Sequence, residues 1–80
     1  MEYGNKNDFL IDAQVNGKSQ RVQVTYTETT DGIPFYICHI DGQEITQIRK
    51  DENRWKQIWG DIAEADVKTI GEAIEAKSET

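Results

Sequence analysis

The chain contains one cysteine, one histidine and one proline, and each scarcity removes an option. A single cysteine forbids an intramolecular disulfide. With one histidine and one cysteine, a structural zinc site would need two carboxylates to complete it, an uncommon ligand set. No metal or other cofactor is therefore expected. Long apolar runs are also missing, and none approaches the roughly 18 residues of a membrane span. The opening MEYGNKNDF has no basic start leading into an apolar stretch, so it does not read as a signal peptide. A lone thiol without an export signal predicts a reducing, cytoplasmic setting. There is no Gly-rich phosphate loop, no CxxC and no HExxH, and only two serines, Ser19 and Ser78, are present.

Basic residues are the other shortage. Nine Lys and Arg face fifteen Asp and Glu, a net charge of −6. Such a chain is repelled by phosphate backbones, which argues against nucleic acid as a partner. Four of the nine cations, Arg49, Lys50, Arg54 and Lys56, fall within residues 49–56. Eighty residues make one domain, 1–80, with frayed ends expected at 1–7 and 78–80. A chain this short buries only roughly 60–65% of its unfolded surface, so its core is marginal. Oligomerisation is the stabilising aid left to it.

Where apolar residues do occur, they are periodic. Phe9, Ile11, Ala13 and Val15 alternate with polar neighbours, as in a half-buried strand. Asn16-Gly17 then signals a two-residue hairpin. That turn pairs Ile11 with Val22 and Phe9 with Val24, apolar against apolar. A loop from Thr27 to Pro34 leads to a strand over Phe35 to Asp41, with Asp41-Gly42 a second turn. Gln43 to Lys50 returns, DENR turns again, and Arg54 to Trp59 forms a fifth strand ended by Gly60. From Asp61 the period changes. Ala63, Val67, Ile70 and Ile74 make one helical stripe, and Asp61 with Glu64 resembles a capping box. Gly71 lies beside that stripe, where close packing against the sheet would offset its helix penalty of about 1 kcal/mol. The expected fold is α+β: a five-stranded antiparallel β-meander with one C-terminal helix across one face.

Cys38 and His39 stand side by side and invite a reading as a nucleophile and its base. Consecutive strand residues point to opposite faces, so their side chains cannot meet. Cys38 reads as a core filler opposite Ile45, and His39 as a surface residue opposite Glu44. No catalytic residue is expected. In IRKDENRWKQIW, residues 48–59, four cations mix with two tryptophans. That run reads first as a strand whose Trp55 and Trp59 pack under the helix. Its functional reading is a basic, aromatic surface for an acidic partner.

The other sheet face carries the sharper signal. With Arg49 opposite Trp55 and Ile45 opposite Trp59, the helix bed holds Tyr36, Cys38, Ile40, Ile45, Trp55 and Trp59. Phe35, Ile37, Ile48 and Ile58 are then left on the outer face. A solvated antiparallel face should be polar, and clustered apolar residues mark an interaction surface. These four are the candidate partner-contact residues.

The order IDGQEIT, RKDENRW, a glycine, then a helix with IGEAIE resembles a small bacterial domain family of uncharacterised function. The likeness spans residues 33 to 76. Where such sequences often read DENGRW, this one reads DENRW. The resemblance implies strands followed by a helix and no activity. The expected function is a small non-enzymatic protein-interaction module, homodimeric through the outer sheet face. One alternative is a ligand-binding or enzymatic domain with a cleft between helix and sheet near Trp55, Trp59 and Tyr26. Another is an acidic regulator that mimics nucleic acid, which would gather its carboxylates on one contiguous surface.

Overall fold

The computed structural model describes residues 8–78. Five strands, β1 (Asp8–Val15), β2 (Lys18–Glu28), β3 (Pro34–Ile40), β4 (Gln43–Asp51) and β5 (Arg54–Gly60), precede one helix, α1 (Glu64–Ser78). The strands pair antiparallel in the order β1-β2-β3-β4-β5, so the meander expected from the turn residues is present. The expected fraying at residues 1–7 and 79–80 lies outside the described residues. Ser78, also expected to fray, is the last residue of α1.

Three tight turns set the meander. Asn16-Gly17, Asp41-Gly42 and Glu52-Asn53 each have positive φ at both central residues, as type I′ hairpins require. Glycine or asparagine tolerates that region, whereas Glu52, at φ 53°, has a Cβ that opposes it. The β1–β2 register follows the sequence pattern, with Ile11 opposite Val22 and Phe9 opposite Val24.

The sheet is coiled. Four strand spacings would separate β1 from β5 by about 19 Å in a flat sheet. A helix only about 10 Å across could not reach both edges. Nevertheless α1 packs against β1, β4 and β5, and stands off β2 and β3. The strands therefore form a trough with the helix lying across its mouth. Val22 and Val24 of β2 and Cys38 of β3 fill the floor, each without exposed surface. Val67, Ile70 and Ile74 fill it from above, at 2%, 0% and 1% exposure. Burying each such side chain contributes roughly 1.5–3 kcal/mol, which is what holds a helix of modest length in place.

The helix begins later than its stripe suggests. The first helical hydrogen bond runs from the Val67 N–H to the Ala63 carbonyl, so Ala63 is the cap position and lies exposed. Asp61 stands two residues too early to cap. Instead Asp66 accepts a hydrogen bond from the Asn16 N–H at 3.1 Å, tying the β1–β2 turn to the first helical turn. Gly71 does have the role expected of it. A Cβ there would overlap the indole ring of Trp55, so this crossing of helix and sheet requires glycine.

Two irregularities correct the expected register of the second half. A bulge in β4 leaves Ile45 without a partner, so Cys38 faces Thr46 and Tyr36 faces Ile48. A second, in β5, leaves Ile58 without a partner, so Ile48 faces Gln57 while Gln47 faces Trp59. The β4–β5 turn is also one residue tighter than expected, which sets Lys50 rather than Arg49 opposite Trp55. Each extra or missing residue exchanges the faces of everything beyond it.

Candidate interaction surface

These corrections redistribute the four candidate residues. Phe35 and Ile37 lie half-buried on the outer face, as expected, and Ile58 is exposed at the edge strand. Ile48 does not belong with them. It has no exposed surface and packs in the core with Val22, Val24 and Ile70. The physical reason is the β4 bulge. Ile45 and Ile48 are three apart, an odd spacing that regular alternation would split between faces; the extra residue lets both pack inward. Trp59 moves the other way. Expected in the core, it is 51% exposed on the outer face, because the Ile58 bulge separates it from the side occupied by Trp55.

The bulges are held by a buried polar cluster. Thr46, without exposed surface, donates from Oγ1 to Gln57 Oε1 at 2.6 Å, and the same oxygen lies 2.9 Å from the Trp59 carbonyl. The Gln57 side chain also grips the segment before the helix. Its Nε2 donates to the Ile62 carbonyl and its Oε1 accepts from the Ile62 N–H, both at 3.2 Å. Gly60 closes the corner at φ 109°, where a Cβ would stand 2.7 Å from the Ile45 carbonyl oxygen. Buried polar groups must be paired. Here the pairing fixes the one-residue displacement that turns Trp59 outward.

Across the outer face, cross-strand neighbours run Thr25, Ile37, Gln47, Trp59 from β2 to β5. Phe35 lies beside Arg49, because Tyr36, next in sequence, faces Ile48. Arg49 in turn faces Lys56, and Asp51 faces Arg54. Asp51 accepts an ion pair from Lys56 at 2.9 Å, with Arg49 3.9 Å away. The Lys56 hydrogen bond and charge, helped by Arg49, hold the Asp51 carboxyl below the usual carboxylate range. Lys50 points to the opposite face and pairs with Glu75 of α1.

The remaining sequence candidates separate cleanly. Cys38 is buried beneath the helix, and burial pushes its thiol up to about 12, the opposite of nucleophile activation. His39 lies on the other face opposite Glu44. Trp55, Trp59 and Tyr26 do not share a cleft. Tyr26 packs edge-on against Tyr36 and Tyr36 against Trp55, with centroids 5.5 and 5.6 Å apart, forming an inner aromatic row that Trp59 does not join. An open groove of about 640 Å³ does exist at the start of α1, floored by Val15, Ile40, Ile45 and Ile62 and rimmed by Asp41, Asp61 and Asp66. Among the described residues, no group of three or more His, Cys, Asp or Glu is placed to hold a metal ion. The described carboxylates are spread over the outer face (Asp12, Glu44), the turns (Asp41, Glu52) and the helix (Glu64, Glu72, Glu75). No described helix is long and apolar enough to cross a membrane.

Sequence reasoning missed Trp59 as a surface residue, although a signal was present. Ile45 and Ile48 are an apolar pair at spacing three within one strand, and a bulge is what lets both pack inward. The chain matches no family model, and comparison with curated proteins and with solved structures finds no match.

Proposed function

We propose that this chain is a non-enzymatic, cytoplasmic protein-interaction module that engages its partner with the outer face of β3, β4 and β5. The observation that carries the reading is Trp59. A domain with so small a core leaves half of one of its two tryptophans in solvent, beside Ile58 at 46% exposure and in one row with Ile37. Trp is among the residues most often responsible for binding energy at protein interfaces. A bulge held by Thr46 and Gln57 turns it outward, so its exposure is built into the backbone. Cys38, the one thiol, is buried away from this face, which agrees with a non-enzymatic role.

Light scattering over about a tenfold range of concentration tests whether that partner is a second copy, since mass action makes a reversible dimer concentration-dependent. The companion protein carries Ile37→Asp with Trp59→Asp, both on the outer face and outside the core. A dimer that this pair of changes dissolves, with circular dichroism unchanged, supports the surface as a homodimer interface. A dimer that survives it removes the outer face from the interface. A monomer throughout directs the search to a different protein.

A further inference from the structure

We infer that the partner of this face is an acidic segment of another protein, with apolar side chains interleaved among its carboxylates. The inference rests on the proposed function and specifies the chemistry of the partner. Arg49, Arg54 and Lys56 converge on the outer face at one end of β4 and β5, with Asp51 among them and Glu52 in the adjoining turn, three cations to two acids. Asp51 engages Lys56 and Arg49, while Arg54 has no carboxylate within ion-pair distance among the described residues. This corner is therefore positive on a chain whose net charge is −6. It also borders the apolar residues, since Phe35 lies beside Arg49, and Trp59 follows Lys56 on the same strand face.

That composition selects among occupants. A two-fold dimer pairs the same face with itself, so it brings two copies of the Arg49, Arg54 and Lys56 cluster into one interface and supplies no added acid to meet them. Like charges across an interface cost energy and slow association. A nucleic acid fits the local charge but meets the field of the whole chain, and its long polyanion extends well past a patch this small. A short acidic segment confines its charge to the patch. Its carboxylates would pair with the arginines, for which the planar guanidinium is suited. Its apolar side chains would cover Phe35, Ile37 and Trp59.

The test is selection of short random peptides displayed on phage against the intact protein, followed by affinity measurement on the recovered sequences. The expected clones carry excess Asp and Glu with aliphatic or aromatic residues between them. Arg49→Glu with Lys56→Glu should weaken them about tenfold or more, an effect of close charge pairs. Because those changes crowd carboxylates around Asp51, Arg49→Gln with Lys56→Gln serves as the neutral version, and it should weaken the same clones to a smaller degree. Trp59→Ala should weaken them as well. Clones without excess acid that still depend on Trp59 would overturn the acidic partner while leaving the interaction surface standing. No recovered clones, or clones indifferent to all these changes, would overturn both. A single-stranded oligothymidylate that binds in their place, with loss in the charge variants, would assign the patch to nucleic acid and overturn the inference.

Discussion

The β1–β2 hairpin pairs eight residues on each side without a break, whereas the β4–β5 ladder slips between Gln47 and Ile48. In the first, Ile11, Ala13 and Val15 are buried while Asp12 and Gln14 are exposed, so the faces separate as the alternation demands. In the second, Ile48 is buried, Ile58 is exposed, and the two tryptophans of one strand lie on opposite faces. The turns differ in the same direction. Asn16-Gly17 adopts positive φ with little strain, but Glu52-Asn53 asks it of a glutamate. The regular hairpin contributes stability. The irregular one gives up regularity and in return presents Trp59 on the face that also carries Arg49, Arg54 and Lys56.

The comparison breaks most visibly at the two isoleucines of the irregular hairpin. Ile48→Ala should cost about 2–5 kcal/mol, since it leaves a cavity in the core. Ile58→Ala should change stability by no more than about 0.5 kcal/mol. Urea unfolding of the two variants side by side decides it, and equal losses would mean the register beyond Thr46 is wrong. Gly71→Ala should cost about 1–3 kcal/mol through overlap with the Trp55 indole, despite the helix preference for alanine. A stabilised variant would show that helix and sheet are farther apart at this crossing.

Exchanging the turns sharpens the contrast. Replacing Glu52-Asn53 by Asn-Gly should raise stability by about 1 kcal/mol, the scale of strain at a left-handed non-glycine residue. Placing Glu-Asn at positions 16–17 should lower it by a similar amount. Denaturation midpoints that do not move in opposite directions would deny the difference in strain.

The smallest effect near neutral pH belongs to Cys38. Burial raises its folded thiol to about 12, from an ordinary value of 9.0. The unfolded thiol ionises first, so this contribution is complete below about pH 9 and is lost as pH rises toward about 12. Tyr26 and Tyr36 are raised too, so Cys38→Ala is needed to isolate the thiol. The variant should lose less stability than wild type between neutral and alkaline pH. Identical slopes would contradict the burial of the thiol.

Much of this layout is legible from local chemistry. Alternation in Phe9–Val15 and Val22–Tyr26, and glycine after Asn16 and Asp41, are enough to write the first three strands and the register of the β1–β2 pair. The helix stripe Val67, Ile70, Ile74 and the packing role of Gly71 are likewise readable, because period and steric size are properties of the chain itself. Phe35 and Ile37 on the outer face follow from the same alternation. Alternation alone puts Ile48 and Trp59 on the wrong faces, because their positions depend on two bulges, each of which displaces every later residue by one.

By itself, then, the sequence determined the element order, the two glycine turns and the place of the third, the antiparallel meander and the helix. These depend on contacts near in the chain, where spacing and turn residues act directly. Only the tertiary structure decided the curl of the sheet around α1, the two bulges and the side on which Trp59 emerges. Those depend on Thr46, Gln57 and Ile62 meeting across three segments, and on which apolar side chains best fill the trough beneath the helix. A pattern of period two cannot anticipate that competition, because it is resolved by packing between residues distant in the chain.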